Sequence, residues 1–314
     1  MQKTIKNLFL PIIVFVTCTL GAQTDSTYSD SIAITVPDTV IYPENAEIPI
    51  QNIAENQENN SNSKSSNNWW GNGLRIVNFQ STKVLEKGQL DFCIQHRFGY
   101  LSQGKSNFFG LDESNYRLGF DYGLINHLTI GVGRSNVGKI LNGYFKWEIV
   151  KQNETVPFSV SLLEDLGVSL AHPPSGLEPY YWTHRLKYTS QLIIAHVFGD
   201  SRFMIQIAPT VVHRNFTDSA TEPNDLLSLT SDLRFRITKG ISITGEYGFL
   251  FPRDYRNQLR TAAGAGVEFY TARHVFQLLV SNAYYMNEAN ILTMQNGNIS
   301  KGEIRFGFNV VRSF

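Results

Sequence analysis

The sequence predicts an all-β fold, a closed antiparallel up-and-down transmembrane β-barrel of about twelve strands that follows a signal peptide and a disordered linker. Three observations support this fold class. From Leu90 onward, apolar and polar residues alternate with a period of two, as side chains do on the two faces of a strand. The 314 residues include 24 Gly, 21 Phe and 14 Tyr, a composition typical of strands and turns. The chain ends in an amphipathic segment whose last residue is Phe314.

Residues 1–22 have the three parts of a secretory signal. Lys3 and Lys6 form a basic start, residues 8–20 are apolar, and small residues follow at Gly21 and Ala22. The alternative is a membrane anchor, but the apolar run is shorter than the roughly 20 residues that a helix needs to cross a bilayer. We therefore expect export and cleavage, which leave one cysteine and exclude an internal disulfide.

Residues 23–68 are polar and carry seven acids against one base. Such a segment buries too little apolar surface to offset the loss of chain entropy, so we expect a disordered acidic linker. It is a candidate tether to a periplasmic partner. Residues 69–314 form the predicted barrel domain, which contains 24 basic and 20 acidic residues. The whole chain has 27 basic and 27 acidic residues, and this balance gives no indication of a nucleic-acid partner.

The alternation is clear in the first predicted strand, where Leu90, Phe92 and Ile94 share one face. Asp91, Gln95 and Arg97 share the other face. Further strands are predicted near residues 115–122, 128–133, 141–149, 158–170, 181–198, 202–211, 227–237, 241–249, 262–269, 275–284 and 304–314. Pro209 has no backbone donor, so we expect a β-bulge there.

Two architectures share this alternation. A soluble sandwich or lipocalin-like binder turns its apolar face inward, whereas a membrane barrel turns that face to lipid. The apolar face here is unusually aromatic, and the other face mixes glycine with charges of both signs, which favours the membrane. In lipid an open sheet edge would leave backbone groups unpaired, so the sheet must close. We expect the outer membrane of a Gram-negative-type bacterium, with outer-membrane lipid as the surroundings.

Parity assigns a set of charged residues to the lumen, where facing charges are expected to pair across strands. For Arg97 we favour an ion pair with Asp91 or Asp121 over a role in ligand binding. The predicted lumen charge network is Asp91, Arg97, Arg117, Asp121, Lys146, Arg234, Arg236, Glu246, Glu268 and Arg305. The terminal Phe314 is the expected signal for the barrel-assembly machinery. Both termini are expected in the periplasm, with extracellular loops among residues 101–114, 171–180, 213–225 and 285–300.

The chain resembles a bacterial β-barrel family, domain of unknown function 5777, from about Leu74 to the C-terminus. The likeness rests on residues 96–99 (His-Arg-Phe-Gly), 109–112 (Phe-Gly-Leu-Asp), 121–123 (Asp-Tyr-Gly) and 131–135 (Gly-Val-Gly-Arg-Ser), with Arg117, Lys139 and Lys146, and more weakly on His274 to Gln277 with Asn282. The resemblance implies an outer-membrane barrel and supplies no catalytic residues.

The leading functional hypothesis is a non-enzymatic barrel, which is a narrow channel, a small-solute transporter or a structural protein. The histidines are scattered, so no metal site, cofactor or catalytic residue is assigned. An alternative is a phospholipase-like lipid-modifying enzyme, which needs a serine and a histidine near the outer rim. Ser135 and Asn136, with His127 or His96 from a neighbouring strand, are its candidates.

Overall fold

The structure, a computed structural model, describes residues 73–172, 180–199, 202–217, 222–251, 260–295 and 297–314. The predicted leader, linker and residues 69–72 lie outside this part of the chain. Twelve antiparallel strands form one closed barrel, in which each strand pairs with its neighbours in the sequence and β1 pairs with β12. The predicted closed up-and-down architecture is therefore confirmed.

The strands are β1 (Leu90–Tyr100), β2 (Ser114–Ile125), β3 (Leu128–Ser135), β4 (Ile140–Val150), β5 (Ser159–Ser169), β6 (Leu186–Phe198), β7 (Phe203–Arg214), β8 (Asp225–Thr238), β9 (Ile241–Phe251), β10 (Ala262–Tyr270), β11 (His274–Ser281) and β12 (Arg305–Ser313). One short helix, α1 (Glu288–Thr293), lies between β11 and β12. Two predicted strands were too long. Residues 182–185 form a 3-10 turn before β6, and β11 ends at Ser281 rather than Tyr284.

The expected bulge at Pro209 is wrong. Pro209 pairs with Leu229 of β8 in an unbroken register. On its other side, Gln191 pairs with Thr210 and Ile194 pairs with Ile207, which is the same register before and after the proline. The missing donor thus interrupts the β6–β7 ladder for two pairs without inserting a residue.

The two faces of the sheet follow the predicted alternation. In β2, Tyr116, Leu118 and Phe120 are exposed on the outside, whereas Arg117 and Asp121 are buried inside. An outer surface of large apolar side chains runs around the barrel, and its interior is lined mostly by polar and charged residues. Among the described residues, no helix has the length and apolar character needed to cross a bilayer.

The connections differ between the two ends of the barrel. At one end, called the terminal end because β1 starts and β12 stops there, the turns are residues 126–127, 151–158, 199–202, 239–240 and 271–273. At the opposite end, called the loop end, the connections are residues 101–113, 136–139, 170–185, 215–224, 252–261 and 282–304. The loop end thus carries most of the longer connections.

The barrel interior is filled by two segments of the same chain. Residues 73–89, called the plug segment, precede β1 and include Ile76, Val77 and Phe79, which are fully buried. Residues 282–304, called the inserted loop, join β11 to β12. They include α1, and every residue of this helix is buried. Neither segment has the two-residue alternation of a strand.

The interior wall also has an apolar part. Leu163, Ile193 and Ala208 form one buried cluster with Tyr144. Other lumen-facing apolar residues, such as Val212, Leu226 and Leu250, pack against the plug segment and the inserted loop. Several of these positions stand in consecutive apolar pairs that break the alternation, namely 162–163, 193–194, 211–212, 226–227 and 278–279. The first member of such a pair can face outward while the second faces the filled lumen, or the reverse.

Candidate functional site

The tip of the plug segment is a tight turn held by one carboxylate. Ser81 N donates to Leu74 O at 2.7 Å, and Ile76 N donates to Phe79 O at 2.8 Å. This turn points three successive backbone N–H groups, those of residues 77–79, at Glu246 Oε2, at 3.2, 2.7 and 3.1 Å. A carboxylate that accepts several backbone donors is strongly bound, because each bond is charge-assisted. Glu246 of β9 therefore fixes the tip of the plug segment inside the barrel.

Asn78 connects this tip to the opposite wall. Its amide nitrogen donates to Glu246 Oε1, and its Oδ1 accepts from Arg97 Nη2 at 2.9 Å. Arg97 also donates to Asn309 Oδ1 at 2.9 Å and to two backbone carbonyl groups. The favoured ion pair of Arg97 with Asp91 or Asp121 is thus wrong, because amide and carbonyl oxygens of the plug segment, of β1 and of β12 bind the guanidinium instead.

Side chains from most of the other strands bind the backbone and polar side chains of the plug segment. Lys146 Nζ donates to Gln80 Oε1 at 2.9 Å and to Ser81 O at 3.1 Å. Gln206 Nε2 donates to Gln80 O at 2.8 Å. Further contacts come from Thr129 of β3, Ser161 of β5, Arg234 of β8, Gln277 of β11 and Asn309 of β12. The polar lumen is therefore complementary to a particular segment of its own chain.

Apolar contacts complete the closure. Phe79 packs with Leu250, Ile291 and Leu292 in one buried cluster that joins the plug segment, the wall and α1. Ile76 and Val77 pack against a second cluster that includes Met204 and Leu279. Burial of large apolar side chains is worth about 1.5–3 kcal/mol each, so both clusters stabilise the filled lumen.

Arg75 joins the two inserted segments to each other. Its Nη1 lies 2.6 Å from Glu288 Oε1 of α1, and it also donates to Asn78 O at 2.6 Å. Burial is the largest single effect and disfavours the charged guanidinium, but the combined attraction of Glu288, Tyr144, Cys93 and Asp121 raises the pKa of Arg75 above its ordinary value. Arg75 therefore stays charged, and the ion pair is almost fully enclosed.

The remaining predicted lumen charges have separate partners. Arg117 donates to Gln95 and Asn142, and Asp121 accepts from Tyr144 at 2.7 Å. Asp91 accepts from Gln89 Nε2 at 2.9 Å, which ties it to the end of the plug segment. Arg234 and Glu268 form a buried bidentate ion pair of 2.9 and 3.0 Å. Arg236 is only half-buried, near the terminal end.

Two glycines of β3 give these buried side chains their space. A Cβ atom on Gly131 would lie 2.3 Å from the Tyr144 ring, and one on Gly133 would lie 2.0 Å from Arg117 Nη2. The Gly-Val-Gly sequence thus reflects close packing in the lumen.

Cys93 of β1 is buried and lines a small cavity of about 20 Å³ that Leu74 and Arg75 also line.

A larger cavity of about 740 Å³ opens at the loop end, above α1. We call it the vestibule. Its cationic side chains are Arg185, Lys187, Arg214 and Arg305, and its acids are Glu113 and Glu222. Arg305, the last of the predicted lumen charges, lies here rather than against the plug segment.

The candidate serine and histidines of the enzyme alternative do not meet. Ser135 is buried on the lumen side, with Gly131 and Gly133 on the same face of β3. His96 lies on the outer face, where Nε2 bonds Ser114 Oγ, and His127 lies in a turn of the terminal end, where it bonds Glu148. In the described ranges, no three His, Cys, Asp or Glu side chains are grouped to hold a metal ion.

An apolar belt outside, polar residues inside and no free sheet edge define an integral β-barrel of a membrane. The sequence agrees with this class, since the profile of one family, described as membrane bound beta barrel domain (DUF5777), matches residues 72–314. The chain belongs to this family. No curated protein matches the chain.

Solved structures with a similar chain path are outer-membrane proteins of low identity. The NanC porin is 10% identical, with a TM-score of 0.47, and the match covers 72% of this chain and 98% of that one. An outer membrane channel from Pseudomonas putida F1 is 12% identical, with a TM-score of 0.47 and coverage of 74% and 97%. The outer membrane protein Omp33 of Acinetobacter baumannii is 9% identical, with a TM-score of 0.38 and coverage of 73% and 99%.

Proposed function

We propose that this protein is a non-enzymatic outer-membrane barrel for a small solute, and that its plug segment closes the lumen in the resting state. One observation carries the proposal. Residues 74–82 lie inside the barrel, and their polar groups are bound by lumen side chains of β1, β4, β5, β7, β8, β9, β11 and β12. A purely structural barrel needs only a packed interior, whereas this interior is closed by a separable segment at one terminus of the domain.

The connections favour one orientation. In bacterial barrels the periplasmic turns are short and the extracellular loops are longer. The terminal end, with its shorter turns, is then periplasmic, and the loop end with the vestibule faces outside. Export through the signal at residues 1–22, assembly through Phe314 and a periplasmic partner for residues 23–68 belong to the same proposal.

The absence of a catalytic role is also part of the proposal. Its support is the placement of the serine and histidines named above, because a lipid hydrolase needs its nucleophile and base within hydrogen-bond reach. Ser135 and the two candidate histidines lie on different faces or at different ends of the barrel.

The test is single-channel recording in planar bilayers with the full mature chain. We expect the wild-type protein to open rarely. Asn78→Ala removes the side chain that links Glu246 and Arg97 to the plug segment. This variant should open far more often, because the tip of the plug loses its side-chain hydrogen bonds to Glu246, Ser281 and Arg97.

Asn153→Ala is the matched control, because Asn153 is exposed and bonds only within its own turn at the terminal end. It should record like the wild type. Steady conduction by the wild type would overturn closure by the plug segment. Silence of both the wild type and the Asn78→Ala variant, with a folded barrel on heat-modifiability gels, would replace the transport proposal with a structural barrel.

A further inference from the structure

The vestibule is bounded by strand ends and by loops. Its described lining comes from the loop ends of β1, β4, β5, β6, β7 and β12, from the connections 101–113, 136–139, 170–185 and 215–224, and from the inserted loop. Its volume of about 740 Å³ falls in the range of small-molecule sites, roughly 300–1,000 Å³. Three of its four cationic side chains, Lys187, Arg214 and Arg305, come from strands, which hold binding groups more rigidly than free loops do.

Arg305 is held at this cavity in a fixed orientation. Its guanidinium carbon lies 3.6 Å from the ring centre of Tyr100 and 4.2 Å from that of Tyr284, so two aromatic rings hold it. Nη1 donates to Phe98 O at 3.1 Å. The residue is only 5% exposed, and its Nε has no hydrogen-bond partner among the described residues. A buried donor without a partner is costly, so an acceptor brought to this nitrogen would be stabilised.

Asn287 supplies a second set of unused groups. It is 1% exposed and lines the same cavity, yet neither its Oδ1 nor its Nδ2 has a partner in the described part of the chain. Buried side-chain amides are nearly always hydrogen-bonded in native proteins. The Asn287 amide therefore has a donor and an acceptor with which a polar ligand at this wall of the cavity could bond.

The charge of the lining indicates the sign of that ligand. Among the described lining residues, four cationic side chains stand against two carboxylates, which gives a net charge of +2 with histidine neutral. Glu222 lies 3.4 Å from Arg214, and Glu113 accepts from Gln103 and Asn107, so both acids already have partners. The described lining is therefore cationic overall, and an anion complements it.

The aromatic lining indicates the rest of the chemistry. Tyr100, Tyr180, Tyr284, Tyr285 and Phe216 line the vestibule together with the cations. Rings of this kind provide a flat apolar surface with hydroxyl groups at its edge. An inorganic anion uses only the charges, whereas an organic carboxylate with an apolar body uses both.

We propose that the vestibule binds a small organic carboxylate, whose anionic group lies against Arg305 and Asn287 and whose body lies on the tyrosine rings. The inference deepens the proposed function, because it names the class of solute that this barrel takes. Lys187, which donates to Asn290 at 2.7 Å and also lines the cavity, adds attraction for the anion from the opposite wall.

The test is calorimetric titration of the full mature chain in neutral detergent at low salt. The probes are benzoate, uncharged benzyl alcohol and inorganic phosphate. We expect benzoate to bind and benzyl alcohol and phosphate to bind at least about tenfold more weakly, which is the loss expected for one hydrogen bond to a charged group. If benzyl alcohol bound as tightly as benzoate, the vestibule would not be an anion site. If phosphate bound more tightly than benzoate, the aromatic lining would have no role in binding.

Variants locate the site. Arg305→Gln and Asn287→Leu should each weaken benzoate by about tenfold. Arg312→Gln is the matched control, because Arg312 belongs to the same strand but is exposed near the terminal end, outside the vestibule. It should bind benzoate like the wild type. Equal loss in all three variants, or no loss in the first two, would overturn the assignment.

Binding and conduction fail separately. The titration is done without a bilayer, so a silent barrel that still binds benzoate keeps the site and loses only the transport proposal. A barrel that opens in the Asn78→Ala variant but binds no benzoate keeps the plug and loses the carboxylate site. Heat-modifiability on gels identifies any variant that has not folded. If Arg305→Gln or Asn287→Leu does not fold, Lys187→Gln replaces it in the titration.

Discussion

Arg75 and Glu288 form a buried ion pair of 2.6 Å between the plug segment and the inserted loop, 213 residues apart in the sequence. Two pieces that enter the lumen from opposite ends of the barrel are thus joined near its middle. Each piece also packs against the wall, but this contact makes their positions interdependent. Loss of either partner is expected to loosen both.

Arg75→Ala should destabilise the barrel by about 3–5 kcal/mol, because it leaves Glu288 buried without its counter-charge. Glu288→Ala should cost a similar amount. The double variant should cost much less than the sum of the two, since no isolated charge remains. Urea unfolding in lipid vesicles measures the three values. Additive losses of stability would mean that the ion pair itself contributes nothing to stability. The control is Asp225→Ala, which removes an exposed contact with His213 and should have little effect on stability.

Glu246→Gln should release the tip of the plug segment. Glutamine keeps one acceptor oxygen but turns an amide nitrogen toward the Asn78 side chain, which is itself a donor. We expect faster hydrogen exchange at the backbone amides of residues 77–79 and a loss of about 1–3 kcal/mol. The control is Glu164→Gln, which lies on the outer face and bonds Ser190. Unchanged exchange at residues 77–79 would rule out the role given to Glu246.

Gly123→Ala should be poorly tolerated, because a Cβ atom there would lie 1.9 Å from the backbone oxygen of Glu86. The end of the plug segment would have to move away from β2, with which it exchanges two backbone hydrogen bonds through residues 88 and 89. Such overpacking costs about 1–3 kcal/mol. Gly245→Ala is the matched control, since its nearest contacts are at 3.5 Å or more. A melting temperature lowered equally in both variants would contradict this explanation.

Phe314→Ala should reduce the amount of folded barrel in the outer membrane without changing the stability of barrels that have formed. Phe314 is 63% exposed, and its backbone N–H donates to Leu90 O at 2.9 Å, a bond that alanine can keep. The heat-modifiable fraction after expression measures assembly. Phe306→Ala, on the same outer face of β12, is the comparison. Equal yields of both variants would leave Phe314 without a special role in assembly.

The strands were predictable because the alternation of apolar and polar residues is a local property of the sequence. It predicted, for nearly every strand residue, whether the side chain lies on the outer or the lumen face. The same parity places Ser135 on the lumen side with Gly131 and Gly133, so the serine–histidine alternative was already weak in the sequence. The proline rule failed at Pro209 because the two neighbouring strands keep their register around a missing bond. Local chemistry alone does not decide between a bulge and an interrupted ladder.

The contents of the lumen were not predicted. Facing charges were expected to bind one another, yet Arg97, Lys146 and Glu246 bind a segment far away in the sequence. A partner of this kind has no local signature. An indirect signal existed in the consecutive apolar pairs, such as residues 162–163 and 211–212, which place an apolar side chain on a face that should be wet. Such pairs indicate that something apolar lies inside the barrel.

The position of Cys93 has a practical consequence. Its side chain is 4% exposed and lies beside Leu74 and Arg75, under the plug segment. Once the predicted leader with Cys18 is removed, this is the sole thiol of the chain. Its rate of alkylation by a maleimide is therefore a built-in reporter of how often the lumen is uncovered, in living cells as well as in vesicles, with no label introduced.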